Sequence, residues 1–151
     1  MKKTLNTFVT VKYTNEAGGK EPTYGSAGAG AFDLYAADSV IIPPSGVTKV
    51  NLKLRCEIPS GFMMLIFPRS STGAKTPLRM ANSVGLIDSD YRGDICCLYE
   101  NNQNAIGSRT ICEGDRIAQG ILIPKIPVEF KHVKKLSDTE RGTGGFGSTG
   151  D

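Results

Sequence analysis

From Val50 to Ile58 apolar and polar side chains alternate without a break, with Val50, Leu52, Leu54, Cys56 and Ile58 separated by Asn51, Lys53, Arg55 and Glu57. A strand sends successive side chains to opposite faces, so this pattern requires an extended segment with one face in a core and one in solvent. Shorter alternations at Val9-Thr10-Val11-Lys12-Tyr13 and Val128-Glu129-Phe130-Lys131 predict two further strands. The continuous apolar runs Phe62 to Phe67 and Ile95 to Tyr99 predict strands buried on both faces. Helical periodicity is nearly absent. The one candidate, Ser70 to Lys75, is stopped by Pro77 after little more than a turn. Eighteen glycines and eight prolines supply the punctuation for short strands, with turn signals at Pro43-Pro44-Ser45-Gly46, Pro59-Ser60-Gly61 and Glu113-Gly114-Asp115. The chain is therefore all-β, as a sandwich, barrel or jelly roll, and the pattern alone does not choose among these.

A chain of 151 residues fits one domain with a core of its own. Residues 1–136 carry the strand pattern, and from Ser137 the character changes. The last ten residues, Gly142 to Asp151, hold five glycines and a single large apolar side chain, Phe146, which predicts a mobile tail over 137–151. Net charge is +3, and no run of Lys or Arg exceeds two residues. That distribution suits a small anionic ligand and gives no expectation of stable nucleic-acid binding. The basic cluster Lys131 to Lys135 lies beside Asp138 and Glu140 and reads as a solvated face. Cysteines at 56, 96, 97 and 112 form neither a C-x-x-C metal pattern nor a disulfide framework, so buried reduced thiols are expected. The single histidine, His132, reads as an incidental surface residue, and zinc-deaminase spacing is absent. The basic start Met1-Lys2-Lys3 is followed by no uninterrupted apolar stretch, so a cytoplasmic protein without membrane contact is expected.

Four segments carry polar chemistry. Ala27 to Leu34 sets one acid, Asp33, among small residues, as a site or as simple close packing. Pro68-Arg69-Ser70-Ser71-Thr72-Gly73 follows a buried run, either as a phosphate seat of hydroxyls and an arginine or as a cap and turn. Gly85-Leu86-Ile87-Asp88-Ser89-Asp90-Tyr91-Arg92-Gly93-Asp94 is the densest polar cluster; it is suited to holding a water beside an aromatic ring, or to a charged hairpin tip. The tail, headed by Arg141, is rich in glycine and hydroxyls, whose unobstructed N–H groups approach phosphates well, yet no Lys precedes Ser148 as a P-loop requires.

In this order the segments resemble the five motifs of the trimeric dUTPase family. The first motif is similar to Gly30-Ala31-Phe32-Asp33-Leu34-Tyr35-Ala36, and the second to Pro68-Arg69-Ser70. The third is similar to Gly85 through Gly93, the fourth to Gly114-Asp115-Arg116-Ile117-Ala118-Gln119, and the fifth to Arg141 through Gly150. The resemblance implies a jelly roll, a homotrimer with active sites shared between subunits, and Mg²⁺-dependent hydrolysis of dUTP to dUMP and pyrophosphate. That reaction keeps uracil out of DNA and supplies dUMP.

The resemblance also assigns roles. Asp88 is the general base that deprotonates the attacking water, and Tyr91 packs on the deoxyribose. Asn82, Gly85 and Ile87 belong to the hairpin that reads uracil, and Asp33 holds the metal through water. Arg69, Ser70, Ser71 and Gln119 correspond to phosphate contacts, and Arg141, Gly147, Ser148 and Thr149 to the tail's grip on the outer phosphates. Phe146 stacks on the base. Arg116 with Asp115 reads as a structural ion pair. Three positions depart from the family pattern: Ser71 stands where Gly often follows Pro-Arg-Ser, Asp94 where Glu or Asn is common, and Gly120 where a larger apolar residue is usual. Two alternatives share the scaffold, a dCTP deaminase and a nucleotide-responsive regulator with a protein partner. Asp88 and the Phe-containing tail weigh against the first, and intact catalytic residues weigh against a purely regulatory role.

Overall fold

The computed structural model describes residues 8–102 and 106–145. Among them are eleven strands and one helix: β1 (Lys12–Asn15), β2 (Thr23–Tyr24), β3 (Phe32–Tyr35), β4 (Val40–Ile42), β5 (Val47–Glu57), β6 (Phe62–Pro68), α1 (Ser70–Lys75), β7 (Leu78–Met80), β8 (Gly85–Ile87), β9 (Ile95–Asn101), β10 (Arg109–Ile111) and β11 (Arg116–Pro124). They form antiparallel sheets in the orders β1-β5-β9-β7, β2-β3-β11-β6-β8 and β10-β4. Leu34, Leu52, Leu54, Ile66, Ile95 and Tyr99, drawn from both larger sheets, close one shared core.

The alternation at 50–58 is realised in β5: Val50, Leu52, Leu54 and Cys56 are buried and the residues between them are not. A bulge interrupts its ladder with β9 between Asn51 and Leu54. There Lys53 takes a left-handed φ of 46°, held by Asn51 Oδ1 on its N–H and by Asp38 on its ammonium. The single helical turn spans Ser70–Lys75, and Thr76, extended before Pro77, caps it by donating its N–H to the Thr72 carbonyl.

Four sequence expectations are corrected. The strands at 62–67 and 95–99 are not buried on both faces: Met64, Ile66, Ile95, Cys97 and Tyr99 point into the core, whereas Leu65 and Cys96 are half-buried and Leu98 is exposed. An antiparallel sheet lays only one face on a shared core, so even a continuous apolar run alternates in burial. The N-terminal strand is displaced from 9–13 to Lys12–Asn15, because its partner β5 offers a ladder only from Glu57 back to Leu54. No strand forms at 128–131. Residues 125–143 are all exposed, with Ile126, Val128 and Phe130 at 80%, 68% and 94%, since among the described residues no strand runs beside them. Of the thiols, Cys56 and Cys97 are buried as expected, but Cys112 is exposed; all four are free. Burial pushes the Cys56 and Cys97 thiols up to about 11 and about 12.

Candidate active site

The motif residues fall into two groups. The first lies where β3, β11 and β6 run side by side: Gln119 on β11 pairs with Asp33 of β3 on one side and Phe67 of β6 on the other. Gln119 Nε2 donates to the Pro68 carbonyl at 3.2 Å, tying β11 to the segment that leads into Arg69 and Ser70. The Asp33 carboxylate is only 15% exposed and sits between two guanidiniums, with Arg69 Nε at 3.3 Å from one oxygen and Arg116 Nη1 at 3.3 Å from the other. Arg69 Nη1 also donates to the Arg116 carbonyl.

Arg116 therefore pairs with Asp33 and not with its neighbour Asp115. Asp115 turns the other way and accepts the Cys112 N–H at 2.8 Å, closing the turn in which Gly114 takes a φ of 83°. Adjacency in sequence suggests the wrong pair, because consecutive side chains of an extended chain face apart. Two arginines on one carboxylate leave this end of the sheet positively charged, which suits an anion. Beside it lies a cleft of ≈ 350 Å³ lined by Arg69, Thr72, Thr76, Thr110 and Arg116. Ser70 is exposed and Ser71 half-buried at the start of α1.

The second group follows β7. Asn82 and Ser83 make the turn into β8, with Ser83 at a φ of 60° and the Asn82 carbonyl accepting the Val84 N–H at 2.6 Å. Gly85 opens β8 against Ile66, where a Cβ would stand 3.3 Å from the Ile66 Cβ. Ile87, half-buried, pairs with Met64 and ends the strand. Asp88 is exposed, and its carbonyl accepts the Tyr91 N–H at 3.2 Å; its carboxylate pairs with no cation among the described residues. Tyr91 keeps 44% of its surface exposed while its hydroxyl donates to the Asp94 carbonyl at 3.1 Å. A pocket of ≈ 140 Å³ lies between Ile87, Asp88, Tyr91, Asp94 and Cys96.

One chain does not bring Asp88 and Tyr91 to the first group, although Gly85, paired with Ile66, lies one position from Phe67, the partner of Gln119. The β6–β8 ladder runs Met64↔Ile87, which sets Asp88 beside Met63, whereas Gln119 and Asp33 lie level with Phe67 and Arg69 follows Pro68 at the other end of β6. At about 3.3 Å per residue the separation along β6 is roughly 13 Å to the level of Gln119 and roughly 20 Å to Arg69. Arg141 is exposed and turns its Nε onto the Gly144 carbonyl at 2.9 Å. Phe146, Gly147, Ser148 and Thr149 lie outside the described residues.

Among the described residues no three Asp, Glu, His or Cys side chains converge to hold a metal. Asp33, one carboxylate with both oxygens already beside arginines, fits an ion that keeps its waters and takes its other ligands from a bound polyphosphate.

The dUTPase family model matches residues 18–150. The deoxyuridine 5'-triphosphate nucleotidohydrolase of Nautilia profundicola is 42% identical over 129 residues, covering 85% of this chain and 89% of the relative. The enzyme of the same name from Bdellovibrio bacteriovorus is 41% identical over 144 residues, covering 94% and 95%. Among solved structures, a mutant dUTPase of Staphylococcus bacteriophage 80alpha with dUpNHpp superposes with a TM-score of 0.85 at 25% identity, covering 94% of this chain and 99% of that one. A mutant dUTPase from phage phi11 of S. aureus, described for its structural Mg(II) ion, shares the fold with a TM-score of 0.77 at 23% identity, over 84% of this chain and 98% of that one. With a family match along nearly its whole length, a close run of curated relatives and the same mostly β architecture, the chain belongs to the dUTPase family.

Proposed function

We propose that the chain hydrolyses the α,β-phosphoanhydride of dUTP to dUMP and pyrophosphate, as a homotrimer whose active sites draw on more than one subunit. The observation that carries this reading is the separation of the two groups along β6. Asp88 and Tyr91 stand toward one end and Asp33, Arg69 and Gln119 toward the other, which supports a second copy of the chain supplying what each end lacks. The exposed apolar positions Ile126, Val128 and Phe130, spaced by two, support assembly through an extended arm, and exposed Leu86 and Leu98 support a further contact.

In the assembled site Asp88 holds a water and takes its proton as the oxygen attacks the α-phosphorus. The bond from phosphorus to the bridging oxygen breaks, and pyrophosphate leaves. Arg69, Ser70, Ser71 and Gln119 orient the phosphates, and Arg116, through Asp33, adds to the positive field at that end. Tyr91 closes on the deoxyribose, and Asn82, Gly85 and Ile87 form the hairpin that reads uracil, where backbone hydrogen bonds reject cytosine and volume rejects thymine. The tail over 137–151 then covers the nucleotide with Arg141, Phe146, Gly147, Ser148 and Thr149 and excludes water. Asp33 would hold Mg²⁺ through water, and the ion would supply neutralisation of charge on the triphosphate.

The test is pyrophosphate release from dUTP, dTTP, dCTP and UTP, each with and without Mg²⁺. Selective, Mg²⁺-stimulated release from dUTP is expected. Equal turnover of the four substrates, or ammonia release from dCTP, would overturn the reading.

A further inference from the structure

The loop carrying Asp88 and Tyr91 crosses between sheets. It leaves β8 in the five-stranded sheet and enters β9 in the four-stranded one, and its last residue is Asp94. On the near side of the bulge the β5–β9 ladder ends at Leu54↔Ile95, so the next positions, Arg55 and Asp94, face each other. Arg55 Nε meets Asp94 Oδ1 at 2.7 Å, and the same guanidinium reaches Glu16 Oε1 through Nη2 at 2.8 Å, just past the end of β1. The backbone carbonyl of Asp94 is the acceptor for the Tyr91 hydroxyl. The ring lies over Gly93 so closely that a Cβ there would stand 2.5 Å from the hydroxyl oxygen and 2.7 Å from Cζ. One residue thus joins the aromatic ring to the four-stranded sheet.

We propose that Arg55 is a positioning residue for sugar selection: by clamping Asp94 it holds the Tyr91 ring in the attitude that leaves no room for a 2′-hydroxyl. The inference rests on Tyr91 packing against the deoxyribose. A planar guanidinium satisfied by carboxylates on two sides fixes an angle as well as a distance, which an ammonium does not. The other arginine of the loop has no such link to the sheet, since Arg92 Nη1 donates to the Ser89 and Tyr91 carbonyls and so binds the loop only to itself. The pair is also half open to solvent, with Arg55 45% and Asp94 30% exposed, so the fold does not depend on it. The departure at Asp94 acquires a purpose in this arrangement, since a longer or neutral side chain would not present a charged oxygen to Arg55 at the same distance.

The experiment compares kcat/KM for dUTP and UTP in the full-length enzyme. Arg55→Gln is expected to lower the dUTP:UTP ratio about five-fold while kcat for dUTP stays within about two-fold, the scale of one partly exposed ion pair. Tyr91→Phe removes the hydroxyl and keeps the ring; it should lower the ratio similarly, and adding Arg55→Gln to it should change the ratio little further, because both act on one link. Arg55→Lys should recover only part of the loss. If Arg55→Gln did not fold, salt supplies a second measure: molar NaCl screens the pair and should lower the wild-type ratio, in which phosphate effects cancel, but not that of Asp94→Ala. Tyr91→Ala separates the sugar contact from the clamp. No loss of selectivity in Tyr91→Ala would remove the sugar-contact reading itself. Loss in Tyr91→Ala with an unchanged ratio in Arg55→Gln, or with full additivity in the double variant, would overturn the clamp and leave the sugar contact standing.

Discussion

Replacing Gly120 by alanine should unseat the residue next to Asp33. Gly120 on β11 pairs with Phe32 on β3, and a Cβ at 120 would stand 2.3 Å from Phe32 Cε2 and 2.6 Å from Cζ. The ring is buried and meets the Tyr24 ring edge-on at 5.9 Å, so its retreat breaks that contact. Overpacking of this kind costs about 1–3 kcal/mol, and the stiffer unfolded chain of alanine returns about 0.4–1 kcal/mol. A net loss of roughly 1–2 kcal/mol lowers the melting temperature by about 3–8 °C in a domain of this size. Calorimetry of Gly120→Ala, Phe32→Leu and the double variant is the assay, with dUTP turnover measured alongside. The double variant should melt above Gly120→Ala, because the smaller side chain at 32 makes room for the methyl. Gly120→Ala melting at or above wild type, or no recovery in the double variant, would show that the ring at 32 does not limit the residue at 120. The same contact explains the departure at 120: the aromatic bulk at 32 fills the space that a larger residue at 120 would take.

Asp88→Asn should keep fold and nucleotide binding but lose roughly 10²–10⁴-fold in kcat by pyrophosphate release, and a loss under about threefold would move the base elsewhere. Deleting 141–151 should abolish most hydrolysis and leave the melting temperature unchanged, since residues 141–143 and 145 are exposed and Gly144 only half-buried; near-normal turnover would refute the covering tail. An equal mixture of Asp33→Asn and Asp88→Asn subunits, unfolded and reassembled together, should regain activity in about a quarter of its sites, and no recovery would show that each chain completes its own site. Stability should be level below pH 9 and fall above it. Burial raises the Cys97 thiol from 9.0 to about 12 and the Cys56 thiol to about 11, so the unfolded chain loses these protons first and gains from each further rise in pH. Melting temperatures that stay flat from about pH 7 to 11 would contradict this.

What was legible in the sequence was local. The alternation at 50–58 became β5 with its buried face as read, and Pro77 stopped the helix at Lys75. Motif order identified the family. Misreadings arose where a partner strand decides the outcome. The run at 95–99 reads as buried on both faces because apolarity says nothing about which face meets the core, and the pattern at 128–131 has no strand among the described residues to join. Arg116 reads onto the wrong carboxylate for the same reason, since its true partner, Asp33, lies 83 positions away and is brought close only by the β3–β11 register. The clamp on Asp94 is equally invisible, because Arg55 looks like one more solvent-facing residue of an alternating strand.

The two ends of β6 have a consequence for how the enzyme is made and kept. On the proposed assembly, a folded but solitary chain would hold the base toward one end and phosphate contacts toward the other, so newly synthesised subunits would be inert until they meet. Specific activity should then fall on dilution with the concentration dependence of an association. Nucleotide bridging two subunits would bind the assembled form alone, and by mass action its presence would draw the equilibrium toward assembly. Substrate supply and the amount of working catalyst would thereby be linked through the length of a single strand.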